Sequence, residues 1–317
     1  MTSARALVFA APRRVLVEEV PLADPGSGEV LVRTVWSGIS TGTELLAYRG
    51  EIEPGLALDE RLGALEGTFA FPFRFGYACV GEVTGGSGEL VFAFQPHQDH
   101  FVAARSDLVP LGALDPRQAT LFPLVETALQ ITFDAGPVLE EDVVVLGLGP
   151  VGCLTALLLA RAGARVVGVD PLAWRREVAS SVGLATVAPA SAPEGVPLVV
   201  EASGRPEALA TALDLLAHEG TALVASWYGT KPVPLPLGGP FHRRRLTIRS
   251  TQVSTIPARL ADRWTIDRRR AAALALLAEL PLGVLATHAF PFDQAAVAFD
   301  ALDRAEEGLV HVALCYD

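Results

Sequence analysis

With 317 residues, half of them hydrophobic, the chain is long enough for two domains with large cores, and this excludes intrinsic disorder. Its 25 Lys and Arg residues face 36 Asp and Glu residues, which gives a formal net charge of −11. Because neutralisation of phosphates dominates nucleic-acid affinity, this acidic balance excludes a nucleic-acid-binding protein.

The cysteines and the N-terminus indicate the compartment. Cys79, Cys153 and Cys315 are far apart and form no CxxC motif, which excludes a disulfide framework and a cysteine-rich zinc lobe. Arg5 interrupts the first apolar run, so the N-terminus does not resemble a signal peptide, and no apolar run reaches the roughly 20 residues of a membrane span. We therefore expect a soluble, cytoplasmic protein that does not enter a membrane.

The first hundred residues are predicted to be mostly β-structure. Short runs rich in Val, Leu and Phe are separated by Pro, Asp and Gly, and they lie at residues 6–9, 15–20, 30–35, 77–83 and 90–94. The less regular residues 48–71 are predicted to form a helix and a loop.

From about residue 121 the pattern changes to alternating strands and helices. Strands are predicted at residues 143–148, 165–170, 197–202, 221–227 and 246–250, with helices after the first three. Such alternation is typical of a parallel sheet with helices on both faces. The chain is predicted to end with a helix from 267 to about 280, a strand at 285–290, a helix at 292–304 and a strand at 310–315.

A GxGxxG motif directly follows the first of these parallel strands. Gly147 permits a tight turn, Gly149 lets the backbone approach a pyrophosphate, and Gly152 lets the helix pack closely on the strand. Pro150 and Val151 complete the loop at the helix N-terminus, where unpaired N–H groups favour an anion. This order predicts a dinucleotide site; the alternative is a tight turn without a ligand.

Asp170 ends the next strand, 23 residues after Gly147, where an acidic residue would hold the ribose hydroxyls. Its charge repels a 2′-phosphate, which favours NAD over NADP. Arg175 and Arg176 follow closely and weaken that preference, unless they only form an exposed first helical turn.

Five segments carry a resemblance to a known family. They are residues 21–33, 37–44 (SGISTGTE), 75–83 (FGYACVGEV), 147–152 (GLGPVG) and 286–292. They resemble, in that order, the opening strands, the first catalytic motif, the GHE…GxV motif, the GxGPVG loop and the near-terminal strand of the medium-chain dehydrogenase/reductase superfamily. The residues of these segments are most similar to those of its zinc-alcohol-dehydrogenase-like subgroup, which includes bacteriochlorophyllide a dehydrogenase.

The resemblance implies an α/β fold made of two domains. A GroES-like, β-rich catalytic domain would hold residues 1–122, and a Rossmann domain with a doubly wound parallel sheet would hold residues 123–260. Residues 261–317 would return to the catalytic domain. Relatives commonly form dimers through the edge of the Rossmann sheet, so a homodimer that uses residues 235–246 is expected.

The positions that hold zinc ligands in the superfamily are occupied by other residue types in this chain. By resemblance they are occupied by Thr41 (or Ser40), by Tyr77, and by Pro123 (or Glu126 in a shifted alignment). A catalytic zinc needs three protein ligands from Cys, His or carboxylate, so no metal is expected. His97 and His100 form an HxxH pattern without a third partner and are predicted to lie on the surface.

Hydroxyl groups are the candidates to replace the metal. By resemblance Tyr77, Thr41 and Thr43 take the places of two ligands and of the proton-relay hydroxyl, and hydroxyls can stabilise a developing charge on oxygen. Glu126 would orient them or accept a proton. The alternatives are that Tyr77 fills space as an aromatic ring and that Glu126 caps a helix.

Further residues are assigned to the cofactor by resemblance. Ser226 and Trp227 would lie at the carboxamide, and Thr127 would contact the nicotinamide, although Trp227 could equally be a packing residue. Ser203 would lie near the adenosine or its ribose, and His311 matches a position that touches the pyrophosphate in some relatives.

Three function classes remain open. The first is a zinc-independent NAD(P)-dependent oxidoreductase that acts on an alcohol or ketone, and Tyr77 with Glu126 favours it. The second is an NAD(P)H-dependent reductase of activated C=C bonds, like quinone reductases. The third is a dinucleotide-binding protein without catalysis.

Overall fold

The computed structural model describes residues 2–85 and 88–317, which divide into two compact units. The first unit holds the chain up to Pro123 together with Leu277–Asp317, and the second holds Leu124–Leu276. The functional boundaries expected at residues 122 and 260 remain a prediction; by packing, residues 261–276 belong to the second unit.

The strands follow one another along the whole chain. They are β1 (Thr2–Ala11), β2 (Arg14–Leu22), β3 (Glu29–Ile39), β4 (Phe73–Arg74), β5 (Cys79–Val83), β6 (Leu90–Ala93), β7 (His100–Ala104), β8 (Val109–Pro110), β9 (Asp142–Leu146), β10 (Arg165–Val169), β11 (Ala185–Val187), β12 (Val196–Glu201), β13 (Leu216–Val224), β14 (Thr247–Ser250), β15 (His288–Pro291) and β16 (Val312–Cys315).

The helices are concentrated after residue 115. They are α1 (Thr43–Arg49), α2 (Pro116–Ala119), α3 (Phe122–Ala135), α4 (Pro150–Arg161), α5 (Ala173–Ser181), α6 (Pro206–Leu215), α7 (Ile266–Glu279), α8 (Leu282–Leu285) and α9 (Ala295–Asp303).

The first unit contains two sheets. One has the strand order β2-β1-β4, and the other has the order β15-β16-β3-β5-β6-β8, with β7 also paired to β3. The C-terminal strand β16 pairs antiparallel with β3, from Val312 opposite Ile39 to Cys315 opposite Trp36. Strand pairing therefore returns the end of the chain to this unit.

Aromatic rings form much of the core of the first unit. The Phe9 ring stacks on that of Phe73 with centroids 5.1 Å apart and meets Phe299 of α9 edge-on at 5.4 Å. Tyr48 of α1 contacts the same Phe299 ring at 5.3 Å. Such pairs bury large apolar area in a fixed geometry, which fixes α1 and α9 against β1.

The second unit is built around a parallel sheet. Its strand order is β11-β10-β9-β12-β13-β14, and every neighbouring pair is parallel. Numbered from the first strand of the unit this is the order 3-2-1-4-5-6, that of a Rossmann fold. Val143, Val144 and Val145 of the central β9 are at most 1% exposed, as expected for a strand covered on both faces.

These two architectures confirm the predicted α/β fold, with a β-rich unit and a doubly wound parallel sheet. Within residues 2–85 and 88–317, no helix combines the length and the apolar character needed to cross a bilayer.

Candidate functional site

Close packing explains two of the three motif glycines in the second unit. Gly147 has φ +95°, and a Cβ atom on it would lie 2.6 Å from Ser203 Cα. A Cβ atom on Gly152 would lie 1.8 Å from the carbonyl oxygen of Gly147. No side chain fits at either position without moving backbone, so both glycines are required by the turn itself.

Gly149 differs from its neighbours because it faces open space. A Cβ atom on it would meet nothing within 4 Å. It is the N-cap of α4, it offers no side-chain cap, and Pro150 follows it. Helix geometry leaves the N–H groups of Val151 and Gly152 without an intrahelical acceptor, which suits an anionic pyrophosphate.

Asp170 joins the glycine turn to the next helix. It is 2% exposed; Oδ2 accepts a hydrogen bond from Leu148 N at 2.9 Å, and Oδ1 accepts one from Leu172 N at 2.9 Å. Arg175 Nη1 lies 3.8 Å from Oδ2, while Arg176 Nη1 donates to the carbonyl oxygen of Asp170 at 2.7 Å. The carboxylate therefore stands beside the glycine turn, with two guanidinium groups close to it.

The other cofactor candidates occupy loops and helix positions of the second unit. Ser203 follows β12 and lies against the Gly147 turn. Ser226 Oγ accepts a hydrogen bond from Gly204 N at 2.8 Å, and Trp227 is 40% exposed. Thr127 is half-buried on α3.

Three hydroxyl groups meet in the first unit. The phenol of Tyr77 hydrogen-bonds to the side chains of Ser40, at the end of β3, and of Thr43, the first residue of α1. Burial, with the charges of Glu44 and Asp59, raises the pKa of Tyr77 to about 12, although the two hydroxyls act in the opposite direction. The phenol is therefore protonated and able to donate at any ordinary pH.

Thr41 lies in the turn between β3 and α1, where it is half-buried. Thr41 is adjacent in sequence to Ser40. The hydrogen bonds themselves join Tyr77 to Ser40 and Thr43, and these three residues form the hydroxyl cluster. The sequence predicted this role for Tyr77, Thr43 and Thr41, with Ser40 as the alternative to Thr41.

A buried chain of hydrogen bonds supports this turn. Glu44 and His97 are both 0% exposed; His97 Nε2 donates to Glu44 Oε2 at 2.8 Å, and Ser40 N donates to Glu44 Oε1 at 2.8 Å. Ser37 Oγ is hydrogen-bonded to His97 Nδ1 at 2.7 Å and to the Tyr316 hydroxyl at 2.8 Å.

The surface position predicted for His97 is therefore wrong. Its partner Glu44 lies 53 residues away in sequence, and β3, α1 and the loop before β7 bring the two together. His100 fits the expected surface position better, because its side chain is 36% exposed and its Nδ1 lies 3.1 Å from the carboxylate of the neighbouring Asp99.

Glu126 lies inside α3, bound to arginines. Its Oε1 accepts hydrogen bonds from Arg269 Nη2 at 3.0 Å and Nε at 3.2 Å, and Arg270 Nε lies at 3.6 Å. Because α3 begins at Phe122, Glu126 does not cap the helix, and that alternative is wrong. The carboxylate ties α3 to α7 within the second unit.

His311 is buried in the first unit. It is 1% exposed, and its Nε2 lies 3.0 Å from Thr120 Oγ1. Burial and the charge of Arg117 lower the pKa of the imidazole to about 3, so it is neutral. A buried neutral ring does not suit the pyrophosphate contact that the sequence suggested.

The residues at the positions that the resemblance assigns to zinc ligands do not fit a catalytic zinc. Glu126, the alternative to Pro123, already binds Arg269. Ser40 and Thr41 are alcohols, Tyr77 is a protonated phenol, and Pro123 has no donor atom in its side chain. Over the two described stretches, no group of three or more His, Cys, Asp or Glu residues could hold a metal ion.

The similar proteins found by comparison are dehydrogenases. The family model of zinc-binding dehydrogenases matches residues 150–266. The 2-desacetyl-2-hydroxyethyl bacteriochlorophyllide A dehydrogenase of Cereibacter sphaeroides is 25% identical, over 93% of this chain and 92% of that protein.

Solved structures share the fold over nearly the whole chain. A dehydrogenase from Escherichia coli CFT073 in complex with NADH has a TM-score of 0.78 and 16% identity, and covers 99% of this chain and 100% of its own. A putative zinc-binding dehydrogenase from Sinorhizobium meliloti bound to NADP has a TM-score of 0.77 and 19% identity, with the same coverage.

The parallel sheet, the glycine turn and these relatives define an oxidoreductase that depends on NAD(P). Within that class, the family model and these relatives support the medium-chain dehydrogenase/reductase superfamily that the sequence motifs predicted.

Proposed function

We propose that the protein transfers hydride between a nicotinamide and an alcohol or ketone without zinc. The observation that carries the proposal is the hydroxyl cluster of Tyr77, Ser40 and Thr43. The resemblance assigns Tyr77 and Ser40 to zinc-ligand positions and Thr43 to the proton-relay position. The substrate is a small molecule with a hydroxyl-bearing carbon, and the name of the Cereibacter relative, which specifies a hydroxyethyl-bearing compound, supports that class.

The second unit supplies the residues that would hold the cofactor. The space at Gly149 and the N–H groups of Val151 and Gly152 would receive the pyrophosphate. Asp170 would accept from the ribose hydroxyls, since each carboxylate oxygen keeps a free lone pair after its one backbone hydrogen bond. We further assign Ser203, Ser226, Trp227 and Thr127 to this site, and Pro150 to the loop. When bound, the nicotinamide supplies or takes the hydride.

Tyr77 is the proposed donor to the substrate oxygen. Its proton stabilises the negative charge that grows on a ketone oxygen during reduction, and it then passes to that oxygen. Ser40 and Thr43 hold the phenol in place. Glu44 is a positioning residue, because it binds Ser40 N and so fixes the turn that presents both hydroxyls. Thr41, which lies between Ser40 and Thr43 in the chain, is a further candidate hydroxyl.

Glu126 is left out of the proposed reaction. Its carboxylate accepts two hydrogen bonds from Arg269, and both groups are less than 5% exposed, so its role is to hold α3 against α7.

We infer a preference for NAD over NADP. The Asp170 carboxylate would repel a 2′-phosphate at the ribose, although Arg175 at 3.8 Å offsets part of that charge. The preference is therefore expected to be modest, and replacing Asp170 while Arg175 and Arg176 are kept would favour NADP.

The test is a panel of secondary alcohols, ketones and enones with NADH and NADPH, followed by nicotinamide absorbance. Turnover of a ketone or secondary alcohol by zinc-free protein supports the proposal. Turnover of enones alone would replace it with a reductase of activated C=C bonds, and binding of NADH without turnover would replace it with a non-catalytic binding protein.

A further inference from the structure

A buried carboxylate lies under the loops that border the proposed dinucleotide site. Glu201 ends β12 and is 0% exposed. Its Oε1 accepts hydrogen bonds from Ser203 N at 2.7 Å and Ser203 Oγ at 2.5 Å, and its Oε2 accepts one from the Tyr228 hydroxyl at 2.6 Å. A buried carboxylate is costly unless its oxygens are hydrogen-bonded, so this position is held by its donors.

The donors belong to two different loops. Ser203 opens the loop after β12, and Tyr228 lies on the loop after β13. A second set of bonds ties the same loops, because Gly204 N donates to Ser226 Oγ at 2.8 Å and Lys231 Nζ donates to the Gly204 carbonyl oxygen at 3.4 Å.

One of these loops also forms the wall of the glycine turn. A Cβ atom on Gly147 would lie 2.8 Å from Ser203 N and 2.9 Å from the carbonyl carbon of Ala202. Any shift of the Ser203 loop would therefore displace the turn at Gly147. Glu201 thus fixes three chain segments at the carboxyl ends of β9, β12 and β13, where the strand order reverses and ligands of such sheets bind.

We propose that Glu201, together with Tyr228, is a positioning pair for the dinucleotide: it holds the Ser203 and Tyr228 loops at the separation that the bound cofactor needs, without touching it. The inference rests on the dinucleotide site of the proposed function and adds residues that the glycine motif does not reveal. Preorganisation of this kind contributes affinity because the loops need no ordering when the ligand binds.

The chemistry of Tyr228 suits a permanent donor. Burial and its contact with Glu201 raise the pKa of the phenol, so the proton remains on Tyr228. Glu201→Gln keeps the size of the side chain but replaces one acceptor by an NH2 group, which would face a donor. Tyr228→Phe removes one donor and leaves the ring.

The test is titration of NADH into the full-length protein by calorimetry, with the melting temperature of ligand-free protein measured in parallel. Glu201→Gln is expected to weaken NADH binding about 10-fold, and Tyr228→Phe about 3- to 10-fold. In the double variant, Tyr228→Phe should weaken NADH binding little further, because Glu201, its hydrogen-bond partner, has already been replaced.

Glu44→Gln is the matched control, since Glu44 is an equally buried glutamate in the other unit. It should lower the melting temperature while NADH affinity is unchanged. Wild-type protein that binds neither NADH nor NADPH would overturn this inference and the proposed function together. If wild-type protein binds NADH, Gly149→Leu does not, and both Glu201→Gln and Tyr228→Phe bind like wild type, only the positioning pair is overturned. Fully additive losses would overturn it as well.

Discussion

The proposed sites of the two units are formed by different parts of the chain, backbone groups in one and side chains in the other. In the second unit the site is mostly backbone: three glycines, the N-terminus of α4, and carboxylates that hold N–H groups in place. In the first unit it is a set of side chains, Tyr77, Ser40 and Thr43, supported by the buried Glu44–His97 pair. A backbone site needs glycines at fixed spacing, whereas a side-chain site needs residues that only the fold brings together.

Charge separates the two units as well. Residues 1–123 and 277–317 hold 10 arginines against 22 carboxylates, a net charge of −12, and residues 124–276 hold 15 basic against 14 acidic residues, a net charge of +1. The unit proposed to bind the anionic dinucleotide is thus the one that lacks the acidic excess, and this reduces long-range repulsion of the ligand.

The largest expected effect is at Gly149. Gly149→Leu should abolish measurable NADH binding, because the new side chain would fill the space proposed for the pyrophosphate, while the fold tolerates it. Calorimetry measures the affinity, and circular dichroism checks the fold. Gly55→Leu, at another glycine whose Cβ would meet nothing within 4 Å, is the control and should bind NADH normally. Unchanged affinity in Gly149→Leu would place the dinucleotide elsewhere.

Tyr77→Phe should lower turnover by about 10²-fold with little change in NADH affinity, because it removes a proton donor and leaves the ring. Since the pKa of Tyr77 is about 12, ketone reduction by wild-type protein should show no loss from ionisation of this phenol between pH 6 and about 9. Tyr48→Phe, in the core against Phe299, is the control and should retain turnover. Equal turnover in Tyr77→Phe would remove Tyr77 from the mechanism.

Glu44→Gln should lower turnover about 10-fold and stability by about 1–3 kcal/mol, since the amide cannot accept from both Ser40 N and His97 Nε2 as the carboxylate does. Turnover and urea unfolding measure the two effects. Because the turn carries the Tyr77 partners, the Glu44→Gln and Tyr77→Phe losses should be less than additive. Fully additive losses would mean that Glu44 does not act through Tyr77.

The smallest effect concerns assembly. We expect a homodimer in which residues 235–246, next to the edge strand β14, contribute the contact, because closed two-fold symmetry is common among soluble oligomers. Sedimentation velocity at micromolar concentration measures it. A species with the mass of a single chain, unaffected by Leu237→Glu at a side chain that is 46% exposed, would refute the dimer.

The sequence predicted the backbone site of the second unit better than the side-chain site of the first unit. The glycine motif and Asp170 were found because a strand, a turn and a helix are adjacent in the chain, and the predicted strand at 197–202 differs from β12 by one residue at each end. Glu201 was missed because a buried glutamate at a strand end has no local signal. Its partner Tyr228 lies 27 residues away.

The contacts of the first unit were harder to predict, because their partners are also distant in sequence. His97 was placed on the surface because its own neighbours, Gln98 and Asp99, are polar. Glu44 becomes its partner only when α1 packs against the loop before β7. Motif resemblance did name Tyr77 and Thr43, whose side chains the fold brings into hydrogen-bond contact, because resemblance carries information about distant contacts that periodicity lacks.

The most direct test of the central claim, that hydroxyl groups take the place of the metal, is elemental analysis of purified, active protein. We predict far less than one zinc atom per chain and turnover that a chelator does not change, because Tyr77, Ser40 and Thr41 are poor ligands. About one zinc per chain, with activity lost on chelation and restored by zinc, would contradict it.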